Sequence, residues 1–328
     1  MVVSCVKMIL LIPGMRSLFR KLFFIISKNK IIEFAGLKFV SHVGLAAGFD
    51  KNADFYNEFS NLGFSFIEIG TVTPLPQPGN PEPRSFRLLK DEALINRMGF
   101  NNVGVDKVVE NLKRNRAKKL VIGGNIGKNT NTPNSKAVDD YIKCFRKLYD
   151  HVNYFVVNVS CPNISGLSEL QDPQALEEIL TKLVDIRKLK EQKKPILLKI
   201  SPDLDFKEID AILDIYWKVG IDGIVATNTT TRRFNLKTHE RKLQAIGSGG
   251  LSGKPLTSRS TEIIRYISDK SGNKIPIIGV GGIMNPEDAM EKIKAGAKLV
   301  QIYTGFIYEG PFLAKRINKY ILVNTLQD

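Results

Sequence analysis

A chain of 328 residues, 43% apolar and 25% charged, can bury the core of one large α/β domain or of two smaller ones. Its three cysteines, Cys5, Cys144 and Cys161, are too few and too scattered for a disulfide framework or a metal cluster, which points to a reducing compartment. The formal charge of +15 raises nucleic acid or a membrane surface as partners, but the basic residues are spread over many helical stretches without interleaved aromatics, so solvated helix faces account for most of it.

The first 33 residues stand apart. Residues 8–13 and 18–26 are short apolar runs, separated by Arg16, Arg20 and Lys21 and followed by Lys28 and Lys30. Neither approaches the roughly 18–20 apolar residues that a bilayer-spanning helix needs. Pro13 also breaks the first run too soon for a signal peptide. The stretch SLFRKLFFIISKNK reads either as an amphipathic helix lying on a membrane surface or as a helix capping the bottom of the domain that follows.

From residue 34 the pattern becomes regular. Apolar, β-branched runs recur at 43–47, 64–70, 120–126, 154–159, 196–200, 223–227, 275–280 and 299–302. Helix-period segments cover 54–62, 103–116, 136–149, 173–191, 206–219, 258–269, 286–295 and 311–320. This alternation predicts a (β/α)8 TIM barrel of the α/β class, with a doubly wound open sheet as the alternative. No repeat or low-complexity linker divides it, so the organisation is an N-terminal helical segment, 1–33, and one barrel, 34–328.

A parallel barrel keeps its chemistry at the C-terminal ends of its strands. The first strand ends in AAGFDKN, where Ala46, Ala47 and Gly48 let a flat ligand approach the backbone and Lys51 offers a charge. Small residues there also suit plain barrel packing. The second ends in GTVTP and runs into a long proline-rich loop holding Arg84, Arg87, Asn96, Arg97 and Phe100. Loops of that length are usually functional. The third ends in NIGKN, with Asn125, and the fourth in NVSCPNISG, with Asn158, Ser160, Cys161 and Asn163.

Lys199 interrupts the apolar fifth strand and must find a partner, either a structural carboxylate or an anionic or electron-rich ring. The sixth strand ends in ATNTT, adding Thr227, Asn228 and Thr229. Then come GSGGLSGKPL, GVGG and QIYTG, glycine turns and a helix start in the order of the phosphate site many barrels share. His42, His151 and His239 have no metal-ligand spacing, and there is no nucleophile elbow or P-loop. Amides match imide edges and lysines match carboxylate or phosphate. The mouth therefore suits a planar pyrimidine-type acid beside a phosphorylated cofactor.

Taken in order, AAGFDKN, GTVTPLPQPGNPEPRSFRL, INRMGFN, NIGKN, VNVSCPN, LLKIS, TNTT, GGLSGKPL, GVGGI and QIYTG resemble the motifs of the dihydroorotate dehydrogenases, from about residue 34 to the last helix. The proline-rich loop, Phe100 and the N-terminal segment resemble class 2, the membrane-associated, quinone-reducing branch. The resemblance implies FMN-dependent oxidation of (S)-dihydroorotate to orotate, with a quinone as acceptor, in de novo pyrimidine (UMP) synthesis. It further implies a monomer held peripherally at the cytoplasmic face of the inner membrane by its N-terminal segment, with no nucleic-acid partner and no metal.

By the same resemblance, Ala47, Gly48, Phe49, Asp50, Lys51, Thr71, Asn125, Asn158, Lys199 and Thr227 surround the flavin. Ser252, Gly253, Gly281, Gly282, Tyr303 and Thr304 hold its phosphate arm. Lys51, Asn96, Asn158, Asn163, Asn228 and Thr229 hold orotate, with Arg97, Met98, Gly99 and Phe100 packed over it. Cys161 falls at the general-base position, removing the C5 proton as the C6 hydride passes to flavin N5. Arg87 and Tyr303 match positions on the quinone approach.

Two departures from class 2 follow. Its members usually carry serine at the base position with a threonine relay, whereas this chain has Cys161 and Ile164, as the soluble class 1 enzymes do. A thiol of pKa ~8.5 can ionise without the relay a hydroxyl needs. That pair keeps fumarate or NAD open as acceptors, although the long loop and the N-terminal segment favour quinone. A flavin barrel reducing tRNA uridine would need its cations clustered on one face. The second departure is that only about the second of the paired class 2 N-terminal helices is matched.

Overall fold

The computed structural model describes residues 8–25, 31–114, 120–160, 170 and 172–324. Helix α1 (Met15–Phe23) comes first, followed by a hairpin of β1 (Ile32–Phe34) and β2 (Leu37–Phe39). Then come β3 (Val43–Leu45), α2 (Tyr56–Phe59), β4 (Phe66–Val72), β5 (Ser85–Leu88), β6 (Ala93–Asn96) and α3 (Val105–Arg114). The middle of the chain forms β7 (Val121–Ile126), α4 (Ala137–Leu148), β8 (Tyr154–Asn158), α5 (Pro173–Lys188), β9 (Ile196–Ile200) and α6 (Phe206–Val219). After these lie β10 (Gly223–Ala226), α7 (Glu240–Ile246), β11 (Gly250–Gly253), α8 (Thr257–Lys270), β12 (Ile277–Val280) and α9 (Pro286–Lys294). The last elements are β13 (Leu299–Ile302), α10 (Thr304–Glu309) and α11 (Leu313–Asn324).

Eight parallel strands close on themselves in the order β10-β12-β13-β3-β4-β7-β8-β9. The barrel expected from the sequence is the fold. Two-residue alternation along each strand sorts side chains into two layers. Ile67, Phe155, Leu198 and Val300 face the helices. Phe66, Tyr154, Val156, Leu197, Val225, Ile278 and Leu299 fill the interior. Phe34 and Phe39 of the hairpin join that inner layer, Phe39 meeting Phe66 edge-on at 5.3 Å, so the hairpin plugs the bottom. One step further up, the same alternation turns Glu68, Asn125, Asn158, Lys199, Thr227 and Gln301 inward.

Helix ends obey local chemistry. Asp205 and Glu208 form a capping box at the start of α6, and Gly220 (φ 76°) ends it. Asn285 and Asp288 do the same for α9, with Pro286 at its first position. Two expected helices differ. The segment 54–62 contains only the four-residue α2, and the run 311–320 is preceded by α10, from which Gly310 (φ 75°) separates α11.

The long loop after β4 is ordered by a second sheet, β11-β6-β5, antiparallel throughout. Outside the barrel, α1 docks through Phe23, which meets Phe312 at 4.7 Å, while Lys315 donates to the Leu22 carbonyl. A side chain at Gly63 (φ 86°) would lie 2.7 Å from the Phe23 carbonyl, so glycine is what admits the helix here. The hairpin, not α1, occupies the barrel bottom, and Met8, Leu11, Ile12, Leu18 and Leu22 remain exposed.

Candidate functional site

The C-terminal mouth of the barrel holds a cavity of about 980 Å³, its open side included. Its floor is polar and connected. Glu68, fully buried, accepts from Asn125 Nδ2 at 2.7 Å and from Gln301 Nε2 at 2.7 Å, and Lys199 Nζ lies 3.7 Å from its Oε1. Thr71 Oγ1 donates to Asn125 Oδ1 at 2.5 Å, and Asn158 Nδ2 donates to Thr71 Oγ1 at 2.9 Å. Asn228 Nδ2 then reaches Asn158 Oδ1 at 3.2 Å and Ser160 Oγ at 3.0 Å, while Ser160 Oγ donates to the Lys199 carbonyl at 2.8 Å. Such a network fixes each amide's orientation, because turning one over breaks several bonds.

The walls come from separate elements. Ala46, Ala47 and Gly48 (φ 92°) form a side-chain-poor face after β3, flanked by Lys51, whose Nζ donates to Asn101 Oδ1. Opposite stand Asn96, Met98, Gly99 and Phe100 from the β6 loop. Phe100 takes a left-handed turn (φ 50°) held by Asn102 Nδ2, which donates to its carbonyl at 2.7 Å. Its ring lies where any side chain at Gly127 would sit, 2.9 Å away.

A third region is a glycine corner. Ser252, Gly253, Gly281, Gly282, Tyr303 and Thr304 converge on it from three strand ends. Ser252 and Thr304 share a hydroxyl hydrogen bond of 2.8 Å. A side chain at Gly253 would lie 2.4 Å from the Glu92 carbonyl, and one at Gly282 2.3 Å from the Thr257 amide at the start of α8, so both positions demand glycine. Burial pushes the Tyr303 phenol up, and its hydroxyl donates to the Gly48 carbonyl at 3.5 Å. Among the described residues no group of His, Cys, Asp or Glu can hold a metal ion.

Residues 31–324 match the family described as dihydroorotate dehydrogenase. The chain belongs to the dihydroorotate dehydrogenase family. It is 56% identical over 315 residues to a dihydroorotate dehydrogenase (quinone) of Christiangramia forsetii, covering 96% of this chain and 91% of the relative. It is 48% identical to one of Idiomarina loihiensis, covering 89% and 87% respectively. Among solved structures, DHODH from Eimeria tenella in complex with ferulenol is similar with a TM-score of 0.84 and 36% identity, covering 95% of this chain and 90% of that one.

Within this dihydroorotate dehydrogenase barrel, most of the residues singled out from the sequence line one cavity: Ala47, Gly48, Lys51, Thr71, Asn96, Met98, Gly99, Phe100, Asn158, Lys199, Thr227, Asn228, Thr229 and the glycine corner. Five others are not part of its lining. Asn125 is buried beneath Thr71. Asp50 accepts from the amides of Asp54 and Phe55 at 2.9 Å each, and burial outweighs those bonds to push its carboxyl up to about 6. Phe49 packs on Phe59, Tyr303 and Phe306. Arg97 donates to the Ile246 carbonyl and stacks on Phe86 at 4.8 Å, while Arg87 lies 6.0 Å from the Tyr308 ring. Cys161, Asn163 and Ile164 lie outside the described residues. Sequence reasoning missed Glu68 and Gln301. Their signal was available: each is a polar residue at an inward position of an otherwise apolar strand.

Proposed function

We propose that the chain oxidises (S)-dihydroorotate to orotate with a membrane quinone as electron acceptor, and that its cavity would hold FMN as the cofactor. The observation carrying this reading is that one cavity unites an oriented amide network, two lysines and a glycine corner. The donor set suits FMN. The Ala46–Gly48 face leaves room for a flat ring, Thr71 and Lys199 offer polar contacts to its edge, and the glycine corner with Ser252 and Thr304 accommodates a phosphate. FMN, when bound, supplies the hydride acceptor.

The chain's own residues do the rest. Asn96, Asn158, Asn163 and Asn228 match the alternating N–H and C=O edge of a dihydropyrimidine, Thr229 adds a hydroxyl, and Lys51 pairs with the carboxylate. Phe100 and Met98 exclude water from the reacting face. Cys161 takes the C5 proton as thiolate. The quinone named in the relatives fits the exposed apolar residues of α1, which supply a peripheral membrane contact; among the described residues no helix is long and apolar enough to cross a membrane.

The test is anaerobic stopped-flow at the flavin absorbance. Dihydroorotate should bleach the flavin, and a short-chain quinone, not fumarate, should restore it. Cys161→Ala should still bind FMN and orotate yet bleach about 10²–10⁴-fold more slowly. The wild-type rate should rise with pH through a thiol-like ionisation. No bleaching with flavin bound would overturn the substrate assignment, and bleaching at wild-type rate in Cys161→Ala would overturn the base.

A further inference from the structure

We propose that Lys292, which does not line the cavity, is the buried cation that orients and charges its glycine corner for a phosphate group. The inference rests on the FMN reading above and goes beyond it by naming a positioning residue outside the cavity wall.

Lys292 sits on α9 and has no exposed surface. Its three ammonium donors are all used: Ser260 Oγ at 2.6 Å, Thr261 Oγ1 at 3.0 Å and the Thr257 carbonyl at 3.4 Å, all in the first turn and a half of α8. Two of these residues hold the glycine corner in turn. Ser260 Oγ donates to the Gly281 carbonyl at 2.7 Å, and Thr257 Oγ1 donates to the Gly282 carbonyl at 2.6 Å. Both glycine carbonyls are thereby drawn toward α8. Across a planar trans peptide the next N–H points the opposite way. The amides of Gly282 and Ile283, two residues that line the cavity, are therefore turned away from α8. Through Ser260, Lys292 anchors a continuous chain of hydrogen bonds to the Gly281 carbonyl and its charge polarises each bond along it; at Thr257 it holds the backbone carbonyl of the residue whose hydroxyl fixes Gly282.

The electrostatics point the same way. Among the described residues no carboxylate lies within ion-pair distance of Lys292. Asp288 and Glu291, on its own helix, act only at longer range, and the Asp288 carboxylate accepts from the amides of Met284 and Asn285. The side of α8 that meets Lys292 presents hydroxyls and a carbonyl, β12 presents Gly279, and the nearby Lys254 is paired with Glu92 at the surface. An ammonium buried without a counter-ion is disfavoured, and burial pulls this one down to about 7. A dianionic phosphate in the corner supplies the missing charge through a low-dielectric interior, and the N-terminal end of α8 adds its partial positive charge.

The experiment uses the full chain stripped of flavin and titrated with FMN and with riboflavin, which lacks the phosphate, followed by flavin fluorescence. Lys292→Met removes the charge at similar volume. The hydroxyls it leaves keep acceptors, Ser260 on the Gly281 carbonyl and Thr261 on the Thr257 carbonyl at 2.9 Å. FMN affinity should fall about tenfold or more while riboflavin affinity stays unchanged. Wild-type FMN affinity should weaken between roughly pH 7 and 9 as Lys292 loses its proton, a range in which the phosphate is already dianionic. Lys292→Met and Lys292→Gln should lack that slope. Equal losses for FMN and riboflavin would reduce Lys292 to a strut between helices and overturn the proposal, as would undiminished FMN affinity. If Lys292→Met fails to fold, the wild-type profiles decide: a slope for FMN and none for riboflavin supports the proposal, and no slope overturns it. Wild-type protein that binds neither flavin would instead overturn the FMN reading itself.

Discussion

At the scale of single residues, the cavity floor depends on Glu68. Its carboxylate faces Lys199 across 3.7 Å, with side-chain exposures of 0% and 7%, and accepts from Asn125 and Gln301. Removing one member of such a pair strands the other charge in the barrel. Glu68→Ala should therefore cost about 3–5 kcal/mol in urea melts. Glu68→Gln should cost much less, for a reason local to this barrel. Gln301 Oε1 is buried without a hydrogen-bond partner, so its amide can turn over and accept from the introduced amide. Lys199 loses its counter-charge in both variants, and its ammonium stays at the cavity wall. Equal losses in the two variants would show that packing, not charge, sets the cost. The sequence already required a partner for Lys199, either carboxylate or ring; the structure supplies the carboxylate beneath a cavity that leaves the other face of the lysine open.

At the scale of elements, the long loop after β4 works because it is tied down at both ends of its sheet. Asp91, between β5 and β6, is buried and accepts from the amides of Lys237 at 2.5 Å and Thr238 at 3.1 Å, and from the Thr238 hydroxyl. Asp91→Ala leaves those N–H groups unpaired at about 1–3 kcal/mol each and frees the wall carrying Asn96 and Phe100. KM for dihydroorotate should rise about tenfold with flavin content unchanged; a fall in kcat alone would place the latch outside substrate binding. This sheet shows where sequence reading reached its range. The barrel strands announce themselves because burial on both faces demands continuous apolar runs, as in β8 and β9. Strands β5, β6 and β11 are four residues each, two of them within a stretch that reads as loop, and their pairing joins Asn96 to Gly250 across the chain. No local periodicity encodes that contact. The hairpin plug escaped notice for the same reason, being two strands of three residues. The glycine corner was readable because its demand is steric and local; Lys292 was not, because nothing near PEDAMEKIK indicates what lies across from it.

At the scale of the whole molecule, the +15 charge and the apolar surface meet at α1. Phe23 fastens this helix to the barrel, and Arg20 Nε donates to Asn61 Oδ1 at 3.0 Å, so its orientation is fixed. Leu18 and Leu22 are then left 54% and 44% exposed beside Lys21, with Leu11 and Ile12 nearby. The half of each leucine that folding leaves exposed can gain about 1 kcal/mol from a lipid interface. The double variant Leu18→Glu with Leu22→Glu leaves Phe23 and the barrel untouched and sets two carboxylates against an anionic surface. Co-sedimentation with anionic liposomes should fall by at least about tenfold, and turnover with a membrane-embedded quinone should fall with it. Dihydroorotate-driven flavin bleaching, which needs only the barrel, should keep its wild-type rate. The two readouts must separate. If liposome binding persists, the basic faces of the barrel carry the membrane contact and α1 is only a docked helix. If bleaching is lost as well, α1 supports the cavity through Phe23, and its exposed leucines have no independent role.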